Sequence, residues 1–310
     1  MIKLHIEKAG LQSLVQDQGR KGYQAFGVPM AGPMDWYAAS LLNRLLGLTK
    51  DHPVLEFTLM GPRIRVEGDC QICLTGANLS PKLNGEVVEM CELIAVKSGS
   101  VLSFSRAQSG CRTYMGVRGT YMGGEWLGSN SSFLFSDVND FNFNVLKNNS
   151  VIEFSKLSRL GERRFKFPAH LPIASPQVVR ILAGPEFEEI SRRDIADFFS
   201  QTFILSNDSN RMGYRLNPPL KDYQASRELI SSGTMPGTIQ ISNSGQPIIL
   251  MADAQTSGGY FRIGNVIRAD MPLLGQMKPG DKMHFSLTTL EEARAAEKQL
   301  WEQLKNFDFS

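Results

Sequence analysis

Cysteine is scarce in this chain. Four in 310 residues are too few for the disulfide framework of a small secreted domain. Histidine is as rare: His5, His52, His170 and His284 form neither His-x-His nor His-Glu-x-x-His, so no histidine metal centre is expected. An excess of one charge is missing as well. There are 33 basic and 31 acidic residues, a net +2, which gives no electrostatic basis for nucleic acid or an anionic membrane as the main partner. No stretch approaches the roughly 18 apolar residues of a membrane span. The first seven residues, Met-Ile-Lys-Leu-His-Ile-Glu, alternate and lack the long apolar run of a signal peptide, so they read as a first β-strand. A cytoplasmic protein is the expectation. Low-complexity tracts are absent, and no internal repeat stands out.

Several catalytic signatures are also lacking. There is no Gly-x-Ser-x-Gly elbow, which removes support for that class of hydrolase. There is no Gly-x-x-x-x-Gly-Lys-[Ser/Thr], so any ATP would not sit on a P-loop. Cys70-Gln-Ile-Cys73 matches Cys-x-x-Cys but lies in a strand-like run, where residues three apart face opposite sides. That suits neither a helix-start redox motif nor a zinc site, and two core cysteines are the preferred reading. No second Cys pair or nearby His completes a metal ligand set. Asn130-Ser-Ser132 and Asn148-Asn-Ser150 match the glycosylation pattern, but nothing else indicates secretion.

What the chain does contain is short strands and many turns. Hydrophobic residues make up 42% and charged residues 21%, enough for a sizeable core. Strands are expected near 55–59, 63–67, 71–74, 93–97, 101–105, 113–117, 151–154, 178–182, 202–205, 238–242, 247–251, 261–265 and 282–287. Their brevity and close turns favour barrels or sandwiches over a βαβ fold. Three helices are expected. The first covers 36–46, with Asp35 as N-cap and Gly47 after its end. The second covers 185–199, with Pro185 at its first position and Glu186, Glu188 and Glu189 near its positive end. The third covers 290–307, where Thr289 and Glu292 match a capping box and Leu300, Leu304 and Phe307 form a stripe. Three prolines between Pro168 and Pro176 mark a linker, so two domains are expected, 1–165 and 177–310.

Two segments concentrate Gly, Asp, Arg, Gln and Thr between strands: 15–35 and 252–260. Glycine-rich loops let a ligand approach the backbone and expose N–H groups to anions. Gly19 and Gly32 are such positions in the first segment. Arg20 adds a planar donor fork suited to carboxylate or phosphate. Asp17, Asp35 and Asp253 are candidate bases or metal-positioning groups. Turn chemistry and helix capping explain the aspartates equally well. No turn type requires Gln16, Arg20, Gln255 or Thr256.

These segments belong to a longer ordered set of motifs. It comprises Gly10-Leu-Gln-Ser-Leu-Val-Gln-Asp-Gln-Gly-Arg-Lys-Gly22, Gly27-Val-Pro-Met-Ala-Gly-Pro-Met-Asp35, Leu55-Glu56, Gly61-Pro62, Leu74-Thr-Gly-Ala77, Gly116-Val-Arg-Gly119 and Leu127-Gly-Ser129. Beyond the linker come Asn210-Arg-Met-Gly-Tyr-Arg-Leu216, Pro236-Gly-Thr-Ile-Gln240, the run from Gly245 to Tyr260, and Pro279-Gly-Asp281. The set resembles the biotin-dependent carboxyltransferase A/B family, also labelled allophanate hydrolase subunit 2, over about residues 4–288. That family includes the C subunit of prokaryotic ATP-dependent 5-oxoprolinase and part of urea carboxylase.

The resemblance implies a mainly β fold of two cyclophilin-like β-barrel subdomains, with a few short helices and a C-terminal helix. It implies two further 5-oxoprolinase subunits as partners, A and the KipI-like B. The three together cleave 5-oxo-L-proline to L-glutamate using ATP. A small-molecule substrate bearing a carboxylate, ATP and Mg²⁺ would call on anion-binding groups. Arg20, Arg118, Arg211 and Arg215 are then candidate clamps, with Arg20 the first choice. Packing or an ion pair explains Arg211 and Arg215 equally well. Gln16, Gln240 and Gln255 are candidates for amide or adenine edges, with Thr256 and Tyr260 beside them. Asp17, Asp35 and Asp253 are candidates for Mg²⁺ in the assembled complex, with no metal site expected in the chain alone. Two alternatives share the resemblance: a carboxyltransferase working with carboxybiotin, and a non-catalytic antagonist of a KipI-like kinase inhibitor. No Ala-Met-Lys-Met biotin-attachment motif is present. Asn130-Ser-Ser132 stands where many members have Arg-Ser-Thr, so one expected anion donor is missing.

Overall fold

The computed structural model describes residues 1–132, 146–161 and 176–305. They are mainly β, with short helices and a C-terminal helix. The chain forms two compact units. One takes Met1–Arg20, Ala31–Pro172 and Gln303–Ser310, the other Lys21–Met30 and Ile173–Glu302.

The first unit holds a seven-stranded and a five-stranded sheet. The N-terminal strand, Ile2–Lys8, pairs antiparallel with both Val151–Lys156 and Arg63–Glu67. Its alternation does what the pattern demands. Ile2, Leu4 and Ile6 enter the core, while Glu7 bonds Arg63 and Arg65 outside. In the five-stranded sheet, Ser109–Val117 lies between Val54–Thr58 and Cys70–Asn78. Leu55, Phe57, Ile72, Leu74, Met115 and Val117 from this sheet share one core with the N-terminal strand. Helix α1, Trp36–Leu45, starts where the Asp35 side chain accepts the Ala38 N–H at 2.8 Å. Gly116 lets it pack closely, because a Cβ there would lie 2.5 Å from Leu46 Cδ1.

The second unit contains a closed seven-stranded barrel. Gln177–Ala183 and Lys282–Leu287 run parallel, and the barrel's other pairings are antiparallel. Isoleucines at 181, 239, 249 and 263 are fully buried. Helix α2, Arg192–Ser200, stacks Phe198 on Phe285 with centroids 4.7 Å apart. Two further helices are α3, Met271–Gly275, and α4, Leu290–Lys305.

The expected second helix is corrected. Residues 187–189 make a 3₁₀ turn, Ile190 is extended at ψ 140°, and α2 begins after Ser191. The cause is local. The Ser191 hydroxyl oxygen accepts the Asp194 N–H at 3.1 Å, which restarts the helix with its own N-cap. The capping box of α4 forms as expected, through Thr289 and Glu292. Leu304 of the stripe is buried, while Phe307 and the proline-rich segment up to residue 175 lie outside the described residues. Two stretches read only as motif are strands: Gln12–Gln16 and Gly213–Asn217.

Candidate functional site

In the first unit the strand Gln12–Gln16 delivers Gln16 and Asp17 into a buried cluster. Asp17 is fully engaged. Its Oδ1 accepts the Gly19 N–H at 2.9 Å and the hydroxyls of Ser129 at 2.6 Å and Ser131 at 2.8 Å. Its Oδ2 accepts the Asn130 N–H. Asp17 therefore stitches the glycine loop to residues 129–131. Arg20 is 0% exposed, donates to the Ser131 carbonyl and lies 4.8 Å above the Trp126 ring. Gln16 Oε1 accepts the Gly32 N–H at 3.1 Å, and its buried Nε2 has no partner among the described residues. Gly32 sits at φ 95° against the Asp17 carbonyl, 3.3 Å from where a Cβ would be, so a side chain is disfavoured twice.

Asp35 caps α1 and also anchors a polar network. Its own N–H donates to the Tyr114 hydroxyl at 2.8 Å, and that hydroxyl donates to Glu56 Oε2 at 2.8 Å. Glu56 also accepts the Met34 N–H at 2.9 Å and pairs with Arg112 at 3.7 Å. All of these side chains are buried. Burial, with the Glu56 charge beside it, pushes the Tyr114 hydroxyl well above its ordinary range. Arg118 spends Nη1 on the carbonyls of Leu46 and Gly47, at 2.9 and 2.8 Å, closing the C-terminal end of α1.

The second unit repeats the ingredients: a buried Asp, a buried Arg and a buried Gln. Arg211 meets Asp253 through Nε–Oδ2 at 2.7 Å and Nη2–Oδ1 at 2.9 Å. Gln240 is buried, and its Nε2 also lacks a partner among the described residues. Gly258 lies against it, since a Cβ there would come within 2.4 Å of that nitrogen. Gln255 is exposed and Thr256 half-buried, and both offer carbonyls to Thr234. Arg215 is exposed, with its Nη1 3.4 Å from Gln246 Oε1.

Tyr260, 40% exposed, opens onto a cavity of about 640 Å³. Gln224, Arg227, Glu228, Asn243 and the rings of Tyr223 and Phe261 also line it. Arg227 is held by Glu189 at 2.8 and 2.9 Å. The next strand is braced by Arg262, bidentate to Glu186 and bonded to the Gly233 carbonyl at 2.9 Å.

The predicted residues thus fall into two sets. Gln16, Asp17, Gly19, Arg20, Gly32, Asp35 and Arg118 lie in the first unit, and Arg211, Arg215, Gln240, Asp253, Gln255, Thr256 and Tyr260 in the second. Most of the charged ones serve as braces for loops. Sequence reasoning missed the Glu56–Tyr114–Arg112 network. Its one signal was a carboxylate inside an apolar strand, Val-Leu-Glu-Phe-Thr. It also missed the cavity residues Tyr223, Arg227, Glu228 and Asn243, which share no motif. Cys70 and Cys73 are core cysteines, as expected. All four thiols are buried, and burial drives the Cys70 thiol up to about 11 and Cys73 well above its usual range. Among the described residues no group of three His, Cys, Asp or Glu side chains is placed to hold a metal ion.

The family model for the carboxyltransferase domain, subdomain A and B, matches residues 26–287. The chain is 35% identical to the 5-oxoprolinase C subunit of Escherichia coli over 304 residues, 97% of each chain. It is 31% identical to the Haemophilus influenzae protein of the same name, over 91% of this chain and 90% of that one. Urea amidolyase of Saccharomyces cerevisiae is 30% identical over 98% of this chain, which spans only 18% of that enzyme. Among solved structures, Kluyveromyces lactis urea carboxylase superposes with a TM-score of 0.88 at 29% identity, covering 99% of this chain and 29% of that one. K. lactis urea amidolyase gives 0.87 at 28% identity, with 99% and 20% covered.

Proposed function

Since the chain belongs to the carboxyltransferase family of subdomains A and B, we propose that within it the protein acts as the C subunit of an ATP-dependent 5-oxoprolinase. The complex would open 5-oxo-L-proline to L-glutamate in the cytoplasm, with an A and a KipI-like B subunit as the partners. The observation that carries this reading is coverage. The chain matches a free-standing 5-oxoprolinase C subunit from end to end, 97% of both chains, whereas it matches a fifth or less of urea amidolyase chains. No helix among the described residues is long and apolar enough to cross a membrane.

The chemistry sets demands that the residues meet only in part. A lactam amide is a poor electrophile, and ATP, when bound, supplies the phosphoryl group that activates its carbonyl oxygen. The three candidate carboxylates do not suit the accompanying Mg²⁺. Asp17 is occupied by hydrogen bonds on both oxygens, Asp253 by the Arg211 fork, and Asp35 by the start of α1. On this reading Mg²⁺ is held by groups that the assembled complex supplies. What this chain contributes is a pair of braced glycine loops. It also contributes two buried amide donors, Gln16 and Gln240, and Arg215 as an exposed cation that meets no carboxylate among the described residues.

The deciding experiment measures ATP-dependent glutamate release from 5-oxoproline by this chain co-expressed with its native A and B partners, each omitted in turn. Activity that disappears without this chain supports the reading. No activity in a folded, assembled complex overturns it. A second reading, the carboxyltransferase component of a urea-type carboxylase, is favoured by the superposition on urea carboxylase. It is tested in the same complex with urea and a separate biotinyl carrier.

A further inference from the structure

We infer that the cavity of the second unit binds a small organic cation, an alkylammonium or alkylguanidinium, between aromatic faces and a free carboxylate. Three rings line it, those of Tyr223, Tyr260 and Phe261. Aromatic faces carry negative potential and attract cations within about 6 Å of the centroid. Phe261 already receives one: the Arg227 guanidinium stands 5.9 Å from its centroid. That charge is spent, because Glu189 holds Arg227 by two hydrogen bonds.

Glu228 is in a different position. It lines the same cavity and enters no ion pair among the described residues. With Arg227 already paired to Glu189, Glu228 is the lining charge that has no ionic partner among the described residues. A carboxylate or phosphate would meet Glu228 with no free cation to offset it. An ammonium or guanidinium would neutralise Glu228, donate to the Asn243 side-chain oxygen and the Tyr260 hydroxyl, and rest its alkyl part on the rings. The volume, about 640 Å³, lies in the range of small-molecule sites. This site is independent of the 5-oxoprolinase reading, whose substrate is an anion.

The test is calorimetric titration of the full chain with n-butylammonium, n-butylguanidinium, neutral n-pentanol and butyrate. Nα-acetyl-lysine amide and its neutral norleucine counterpart form a second arm. The expected result is cation binding about tenfold tighter than the neutral isosteres, with no butyrate binding. Glu228→Gln should remove the cation preference, and Tyr260→Leu should weaken binding of every cation probe. Both side chains are exposed, so both variants should melt with the wild-type chain. Tighter binding of the lysine amide than of butylammonium identifies a protein side chain as the source, and the reverse order a free amine. Equal binding of neutral probes, no binding of any cation, or an unchanged preference in Glu228→Gln overturns the inference.

Discussion

Arg211 and Asp253 face each other edge to edge, at 2.7 and 2.9 Å, and each side chain is 1% exposed. Their main chains are joined as well, since the Asp253 N–H donates to the Arg211 carbonyl at 2.9 Å. This double link fixes the start of the loop that ends at Tyr260. Removing one partner strands the other charge away from water. Asp253→Ala should therefore cost about 3–5 kcal/mol in urea unfolding, and Arg211→Met with Asp253→Leu clearly less. A single variant within error of wild type would refute the bracing role.

Tyr114 is the hinge of the network that the sequence did not reveal. Tyr114→Phe removes a donor to Glu56 and an acceptor for the Asp35 N–H. The expected loss is about 1–3 kcal/mol, because the groups left behind are buried. Hydrogen exchange should locate the weakening at the start of α1. Protection lost uniformly across the first unit would argue against a local role.

Acid should loosen the second unit through Glu186. Hydrogen bonds from Arg262 hold its carboxyl below the usual range. A depressed carboxylate stabilises the fold fully above its unfolded value, about 4.3, and the contribution disappears as pH falls through the folded value. Thermal melts between pH 7 and 3 should show a shallower acid decline in Glu186→Gln, starting from lower stability at pH 7. Parallel curves for the two proteins would contradict this.

The cysteines should be inert in the native state. Cys91 is driven up to about 12 and Cys70 to about 11, both chiefly by burial, so thiolate is rare at neutral pH. Ellman's reagent at pH 7.5 should modify none of the four before unfolding and all four in denaturant. Rapid native labelling of Cys70 or Cys73 would reopen the redox reading of that pair.

Period and punctuation in the sequence determined much of the architecture. Ile2–Lys8, Arg63–Glu67 and Lys282–Leu287 are legible because one face is wet and the other dry. Helix α1 is legible because Asp35 and Gly47 bracket it. Gln12–Gln16 escaped because Ser13, Leu14, Val15 and Gln16 are all buried, which erases the alternation that betrays a strand. The break at Ile190 escaped because Pro185 and three glutamates start a helix as well as Ser191 does. Glycine loops and their polar residues could be picked out from composition alone. Their tasks could not, since Asp17 and Asp253 look alike until Ser129, Ser131 and Arg211 arrive from 112, 114 and 42 residues away. Only tertiary structure decided that these carboxylates brace loops, and that Tyr223, Arg227, Glu228, Asn243 and Tyr260 share one cavity. The physical reason is that hydrogen bonding and charge compensation act through space, whereas sequence patterns report only neighbours along the chain.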